Sequence, residues 1–161
     1  MLSDAILGQA AALLDACRAR GLMLATVESC TGGLMAQRIT SVSGSSPYFL
    51  GGVVCYSNAI KQDWLGVSAE ALETHGAVSS VVAKALAEGV RQRAGSTWGV
   101  GITGIAGPGG GTDQKPVGLV YLALAGPEGS QVLERRFPGG RETIRWQASQ
   151  TALDMLRRAL K

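Results

Sequence analysis

Glycine constrains this chain more than any other residue type. It occurs 23 times in 161 residues and gathers at Gly32-Gly33, Gly51-Gly52, Gly99 to Gly111 and Gly139-Gly140. Glycine concentrates where a backbone turns sharply or another group must come close to it. Between these clusters the apolar residues switch between helical and extended spacing. The chain therefore reads as strands and helices in alternation, and no internal repeat is visible.

Ser3 is the expected N-cap of a first helix, with Asp4 in its first turn. Ile6, Ala10, Leu13, Leu14 and Cys17 follow helical spacing, and Gly21 stops the helix. Leu22 to Val27 reads as a short buried strand. Glu28 to Gly33 turns into a helix over Leu34 to Thr40, and Phe49 to Tyr56 is a second strand. Ser57 or Asn58, then Ser68, then Ser79 or Ser80 cap three successive helices, which Gly66, Gly76 and Gly95 end. Trp98 to Thr103, Val117 to Ala125 and Gln131 to Phe137 read as strands, the last two as an antiparallel hairpin. A final helix, Arg141 to Leu160, lines up Ile144, Ala148, Ala152, Met155, Leu156 and Leu160. Early strands are separated by helices and late ones are adjacent. The expected fold is an α/β, three-layer α/β/α sandwich. Its sheet is mixed and largely parallel, with about five strands and a late antiparallel hairpin, and residues 1–161 form one domain.

Composition narrows the function classes. With 46% hydrophobic and 17% charged residues, disorder is not expected. The longest uncharged run, Ile39 to Ile60, is broken by serines, glycines, Pro47 and Asn58, so a membrane-spanning helix is not expected. Asp4 precedes the first apolar stretch and no basic start is present, which argues against a signal peptide. The net charge is +3, and the densest basic pairs are Arg135-Arg136 and Arg157-Arg158. Without a basic stripe or a recognisable module, nucleic acid is not an expected partner, whereas a small anionic ligand is compatible. Cys17, Cys30 and Cys55 are widely spaced, and His75 is the sole histidine. They read as reduced, buried thiols of a cytoplasmic protein, with no metal site. His75 reads as a helix C-terminus capped by Gly76, so a Ser-His-Asp triad is not expected.

Three loops after strands could carry chemistry, since ligands of open α/β sheets bind outside the carboxyl ends of strands. The first is Glu28-Ser29-Cys30-Thr31-Gly32-Gly33. Ser29 there is either a helix cap or a nucleophile on a sharp bend, and Cys30 is a rival, because helix N-termini lower thiol pKa. The second is Tyr56 to Lys61. Only four of the fifteen basic side chains are lysines (61, 84, 115 and 161). A desolvated lysine can act as a base near neutral pH and an arginine cannot. Lys61 is either a solvated helix residue or such a base. The third is Gly101 to Pro108. Gly99, Gly101 and Gly104 match G-x-G-x-x-G, but two of them fall inside a strand and no helix follows, so a dinucleotide site is rejected. The loop either connects or cradles a phosphate or ribose beside Thr103. Arg141 and Arg145 stand in the first turns of the last helix, where the dipole disfavours cations. They are either solvated near Glu142 or placed for an anion.

Taken together, the segments TVESCTGGLMAQRIT, GSSPYFLGGVVCYSNAIKQDWLGV, HGAVSS, TGIAGPGGG with KPVGLVYLAL, and GGRETIRWQAS resemble the CinA C-terminal domain family. The closest likeness is to its stand-alone nicotinamide-nucleotide amidohydrolases. The likeness runs in order from Thr26 to about Ser149 and covers nearly the whole chain. It does not extend to the N-terminal molybdopterin-binding-like domain of larger members. The usual alanine before Glu28 is Val27 here, and the usual threonine before Tyr56 is Cys55. The resemblance implies hydrolysis of the carboxamide of nicotinamide mononucleotide to nicotinate mononucleotide and ammonia, without a cofactor. It implies Ser29 as nucleophile, Lys61 as base and Tyr56 as an aid to proton transfer or to the orientation of Lys61. Thr31, Gly32 and Gly33 would hold the oxyanion. Thr103, Gly104 and Arg145 would hold the phosphate and sugar, and Ser46 is a second candidate for contact with the reacting centre. Two other classes stay open: a nucleotide-binding module without catalysis, and a competence- or damage-linked accessory protein. A homodimer is compatible with the apolar helix faces.

Overall fold

The computed structural model describes residues 4–161, and the expected Ser3 cap lies outside them. The elements in order are α1 (Asp4–Arg20), β1 (Leu24–Glu28), α2 (Leu34–Thr40), β2 (Phe49–Val54), α3 (Asn58–Leu65), α4 (Ala69–His75), α5 (Ser80–Ala94), β3 (Trp98–Gly104), β4 (Leu119–Gly126), β5 (Gly129–Arg136) and α6 (Arg141–Ala159). Local signals set most boundaries. The hydroxyls of Ser57, Ser68 and Ser79 accept from Ile60, Ala71 and Val82 N–H at 3.2, 3.1 and 3.2 Å and start α3, α4 and α5. Gly66 and Gly95 end α3 and α5 in the left-handed region, at φ 73° and 64°. Strand β4 begins two residues later than expected, because Gly118 at φ 94° interrupts the extended chain. Strand β2 ends at Val54 rather than Tyr56. The Cys55 and Tyr56 carbonyls leave the ladder for another partner, described below.

The five strands form one mixed sheet in the order β2-β1-β3-β4-β5. Strand β1 pairs parallel with β2 and β3, and β4 pairs antiparallel with β3 and β5. The expected hairpin is β4–β5. Helices α1, α2 and α6 cover one face over a core that includes Leu13, Ile39, Ile102, Leu122, Ile144 and Leu156. Helices α3, α4 and α5 cover the other, over Ala25, Val27, Leu65, Leu72, Leu86 and Val90. These are the three layers.

The glycines of β3 are explained by α5. A Cβ at Gly99 or Gly101 would run into the carbonyl oxygens of Ala87 and Ala83. Ala123 and Ala125 of β4 meet the same two alanines. Small residues on both surfaces bring α5 close to the sheet, and bulky ones fill the opposite face. The G-x-G-x-x-G match is therefore a packing feature. Since β1, β2 and β3 run in parallel, their carboxyl ends lie together. The chain passes from β1 to β2 on one side and later to β3 on the other, so the order switches at β1. Ser29, Cys55-Tyr56 and Thr103-Gly104 all fall at this edge.

Candidate active site

The turn after β1 is organised by an internal carboxylate. Helix α2 starts from Gly33, at φ 94°, and has no side-chain cap of its own. Glu28, 1% exposed, fills that place. Its Oε2 accepts from Gly33 and Met35 N–H at 3.2 and 3.1 Å, and its Oε1 accepts from Ala36 N–H at 2.9 Å. A carboxylate at a helix N-terminus also opposes the dipole. Ser29 is therefore not the cap of α2. Gly32 N–H donates to the Ser29 carbonyl at 3.1 Å, so the N–H groups of Gly32 and Gly33 are both engaged within the turn. Among the described residues, the N–H groups of Cys30 and Thr31 have no partner. Replacing Glu28 with alanine would orphan three N–H groups in a largely buried place. The expected loss is about 2–4 kcal/mol of unfolding free energy, with a smaller loss for Glu28→Gln, as measured by urea denaturation.

Lys61 lies one turn into α3 and points inward, 2% exposed. Its Nζ is 2.8 Å from the Cys55 carbonyl oxygen, 3.4 Å from that of Tyr56 and 3.4 Å from Ser29 Oγ. Burial holds its pKa below the ordinary lysine value, against weaker opposing influences from Cys55, Cys30 and Tyr56. Positions 29 and 61 thus meet, and the solvated reading of Lys61 falls. Cys30 behaves otherwise than its position suggested. It is part of the core under α1, α2 and α6, and burial pushes its thiol up to about 12. The helix terminus that would have lowered it is already occupied by Glu28.

A cleft of about 290 Å³ opens over this pair. Ser29, Tyr56, Lys61, Thr103, Gly104 and Arg141 stand in its wall, together with Asn58, Ala77-Val78 and the Ile105 to Gly110 loop. Tyr56 supports Lys61 through its main-chain carbonyl, while its phenol oxygen accepts from Arg141 Nη2 at 3.1 Å. The Thr103 hydroxyl donates to the Ala77 carbonyl at 2.8 Å and ties β3 to the segment before α5. A Cβ at Gly104 would strike Val120 and the Leu119 carbonyl, so this glycine serves the β3–β4 contact as well.

Several expected binding residues stand elsewhere. Arg145 does not line the cleft. Its Nε and Nη2 donate to the carbonyls of Cys30 and Thr31, both at 3.1 Å, and its guanidinium lies against Gly32. It holds the turn from outside while Glu28 holds it from within. Thr31 is buried, Gly32 is exposed and Gly33 is half-buried, and none of the three lines the cleft. Ser46 is exposed on the loop leading into β2, at the amino end of the parallel strands. The length of β2, roughly 17 Å at about 3.3 Å per residue, separates it from the cleft within one chain. The sequence reading missed Glu28 and left Arg141 undecided. A helix start of Thr-Gly-Gly, with no capping side chain, was the available signal that a residue farther back must supply the cap. Among the described residues, no group of three potential metal ligands comes together, and no helix is long and apolar enough to cross a membrane.

Comparisons with known proteins agree with this architecture. The CinA C-terminal domain pattern matches residues 8–160. A CinA-like protein of Acidobacterium capsulatum is 59% identical over 141 residues, 88% of this chain and 34% of that protein. One from Koribacter versatilis is 61% identical over 137 residues, 85% of this chain and 33% of that protein. The chain thus spans about a third of the length of these curated relatives. Among solved structures, the competence/damage inducible protein CihA of Agrobacterium tumefaciens superposes with a TM-score of 0.95 at 43% identity, covering 99% of this chain and 98% of that one. A CinA superfamily protein of Klebsiella pneumoniae gives 0.92 at 33% identity, covering 96% and 97%. With the family pattern spanning nearly every described element, the chain belongs to the CinA C-terminal domain family.

Proposed function

We propose that this chain is a serine amidohydrolase that converts nicotinamide mononucleotide to nicotinate mononucleotide and ammonia. The observation that carries the reading is the buried Lys61 amine 3.4 Å from the Ser29 hydroxyl at the floor of the cleft. A neutral amine has two N–H donors and one lone pair. The Cys55 and Tyr56 carbonyls take the two donors, and the lone pair is left for Ser29. The same surroundings disfavour the cation by desolvation, which favours a base near neutral pH.

The steps follow from that arrangement. Ser29 Oγ attacks the carboxamide carbon while its proton passes to Lys61 Nζ. The carbonyl oxygen becomes an oxyanion, and the unpartnered Cys30 N–H, on the residue after the nucleophile, is the suited donor. Lys61 returns the proton to the amide nitrogen, the C–N bond breaks, and ammonia leaves an acyl-serine. Water then gives a proton to Lys61 and attacks the ester carbon. The carboxylic acid departs as Lys61 returns the proton to Ser29, and it loses its own proton to solvent to give the carboxylate.

No metal ion or cofactor enters these steps, and the partner is a small nucleotide. Three buried free thiols fit a reducing, cytoplasmic setting. The direct test is ammonia release from nicotinamide mononucleotide by the purified protein. Binding without turnover would leave a nucleotide-binding module. Neither binding nor turnover, together with salt-sensitive DNA binding, would favour the accessory role.

A further inference from the structure

We infer that Arg141 is the residue by which this site selects a phosphorylated substrate over its dephosphorylated counterpart; the inference rests on the amidohydrolase reading above. Both arginines at the start of α6 were candidates for an anion in sequence, and the family likeness pointed to Arg145. The fold separates them. Arg145 donates to two main-chain carbonyls of the nucleophile turn and stands outside the cleft. Arg141 stands in the cleft wall with Ser29 and Lys61.

Arg141 is exposed to solvent, and its charge meets no carboxylate among the described residues. Its Nη1 donates to the Gly107 carbonyl at 2.9 Å and its Nη2 to the Tyr56 phenol oxygen at 3.1 Å, both neutral acceptors. Among the described residues it makes no salt bridge. It also stands in the first turn of α6, where the helix dipole disfavours a cation. Lys61, the other basic group of the wall, is held toward its neutral form by burial. Arg141 is thus the permanent cation of the cleft. Its two contacts hold the guanidinium in place at the rim and leave its remaining N–H groups for a ligand.

The wall beside it completes an anion subsite. Gly107, Gly109 and Gly110 line the same cleft, and their N–H groups have no partner among the described residues. Main-chain N–H groups together with a guanidinium suit the oxygens of a phosphate monoester. A substrate with its amide at Ser29 and a phosphate at its far end would satisfy both ends of the cleft. A nucleoside would leave the guanidinium charge unmatched.

The test compares binding of the product and its dephosphorylated counterpart, so that turnover plays no part. Nicotinate mononucleotide and nicotinate riboside are titrated calorimetrically into the wild-type protein and into Arg141→Ala. In the wild type the phosphate is expected to tighten binding about 10- to 100-fold. In Arg141→Ala that advantage should fall to within about threefold of unity, with riboside affinity unchanged. Arg141→Lys should keep part of it, since an ammonium retains the charge without the fork. Equal discrimination in the wild type and Arg141→Ala would overturn the inference. So would an equal loss for both ligands, which would mark Arg141 as a brace for Gly107 and Tyr56. So would failure of the wild type to bind either ligand. Phosphate discrimination that depends on Arg141, in a protein that releases no ammonia from nicotinamide mononucleotide, would sink the amidohydrolase reading and leave the anion subsite standing.

Discussion

Ser29→Ala is expected to lower ammonia release from nicotinamide mononucleotide by at least about 10⁴-fold while leaving the fold intact. On the proposed mechanism the loss is large because this hydroxyl is the atom that bonds to the carboxamide carbon, and no neighbour replaces it. Cys30 is adjacent in sequence, but its thiol is buried and held protonated, at about 12. Cys30→Ala should therefore keep most of the activity. The fold should survive Ser29→Ala because the hydroxyl makes no hydrogen bond beyond that with Lys61 at 3.4 Å among the described residues. The turn itself is held by Glu28 and Arg145, not by the serine side chain. Circular dichroism and urea denaturation check the fold, and an ammonia-coupled assay checks the chemistry. Turnover surviving in Ser29→Ala but lost in Cys30→Ala would move the nucleophile to the thiol.

The second large effect belongs to Lys61. Lys61→Met should cost about 10³-fold in kcat, and Lys61→Arg at least about 100-fold, since a guanidinium stays protonated. The wild-type kcat/KM should rise with pH along a limb whose midpoint lies below the ordinary lysine value, because the neutral amine is the active form. In Lys61→Met that limb should vanish. Stability should follow activity upward with pH. Between the lowered folded pKa and the ordinary one, the unfolded chain binds more protons than the folded chain, so stability rises with pH across that window. Below the window, folding must bury a cation. Within the window folding must instead strip the proton, and Lys61→Met removes either cost, so it is expected to raise Tm at pH 7 while lowering kcat. A Lys61→Arg protein with full turnover would rule out a proton-accepting role at this position.

These expectations rest on parts of the molecule that were unequally legible in sequence. The helix starts at Ser57, Ser68 and Ser79 and the stops at Gly66 and Gly95 were readable because the interactions that make them span three or four residues. The apolar faces of α1 and α6 were readable for a related reason, since a helix repeats its environment every turn. The glycines of β3 were visible as glycines, but their purpose was not. Only the approach of α5, with Ala83 and Ala87 against Gly101 and Gly99, shows what they make room for. The end of β2 shifted because Cys55 and Tyr56 turn their carbonyls toward a lysine that follows them in the chain.

From the order of residues alone came the α/β architecture, the element boundaries to within a few positions, and the family likeness that singled out Ser29 and Lys61. The tertiary structure alone decided that Lys61 is desolvated and that Glu28 caps α2. It also placed Arg145 against the carbonyls of the turn after β1, Arg141 in the cleft, and Ser46 at the far end of the sheet. The division has a physical cause. Caps, turns and periodic faces are fixed by neighbours a few residues apart, whereas burial, charge compensation and the meeting of two side chains depend on which distant strands the sheet lays side by side.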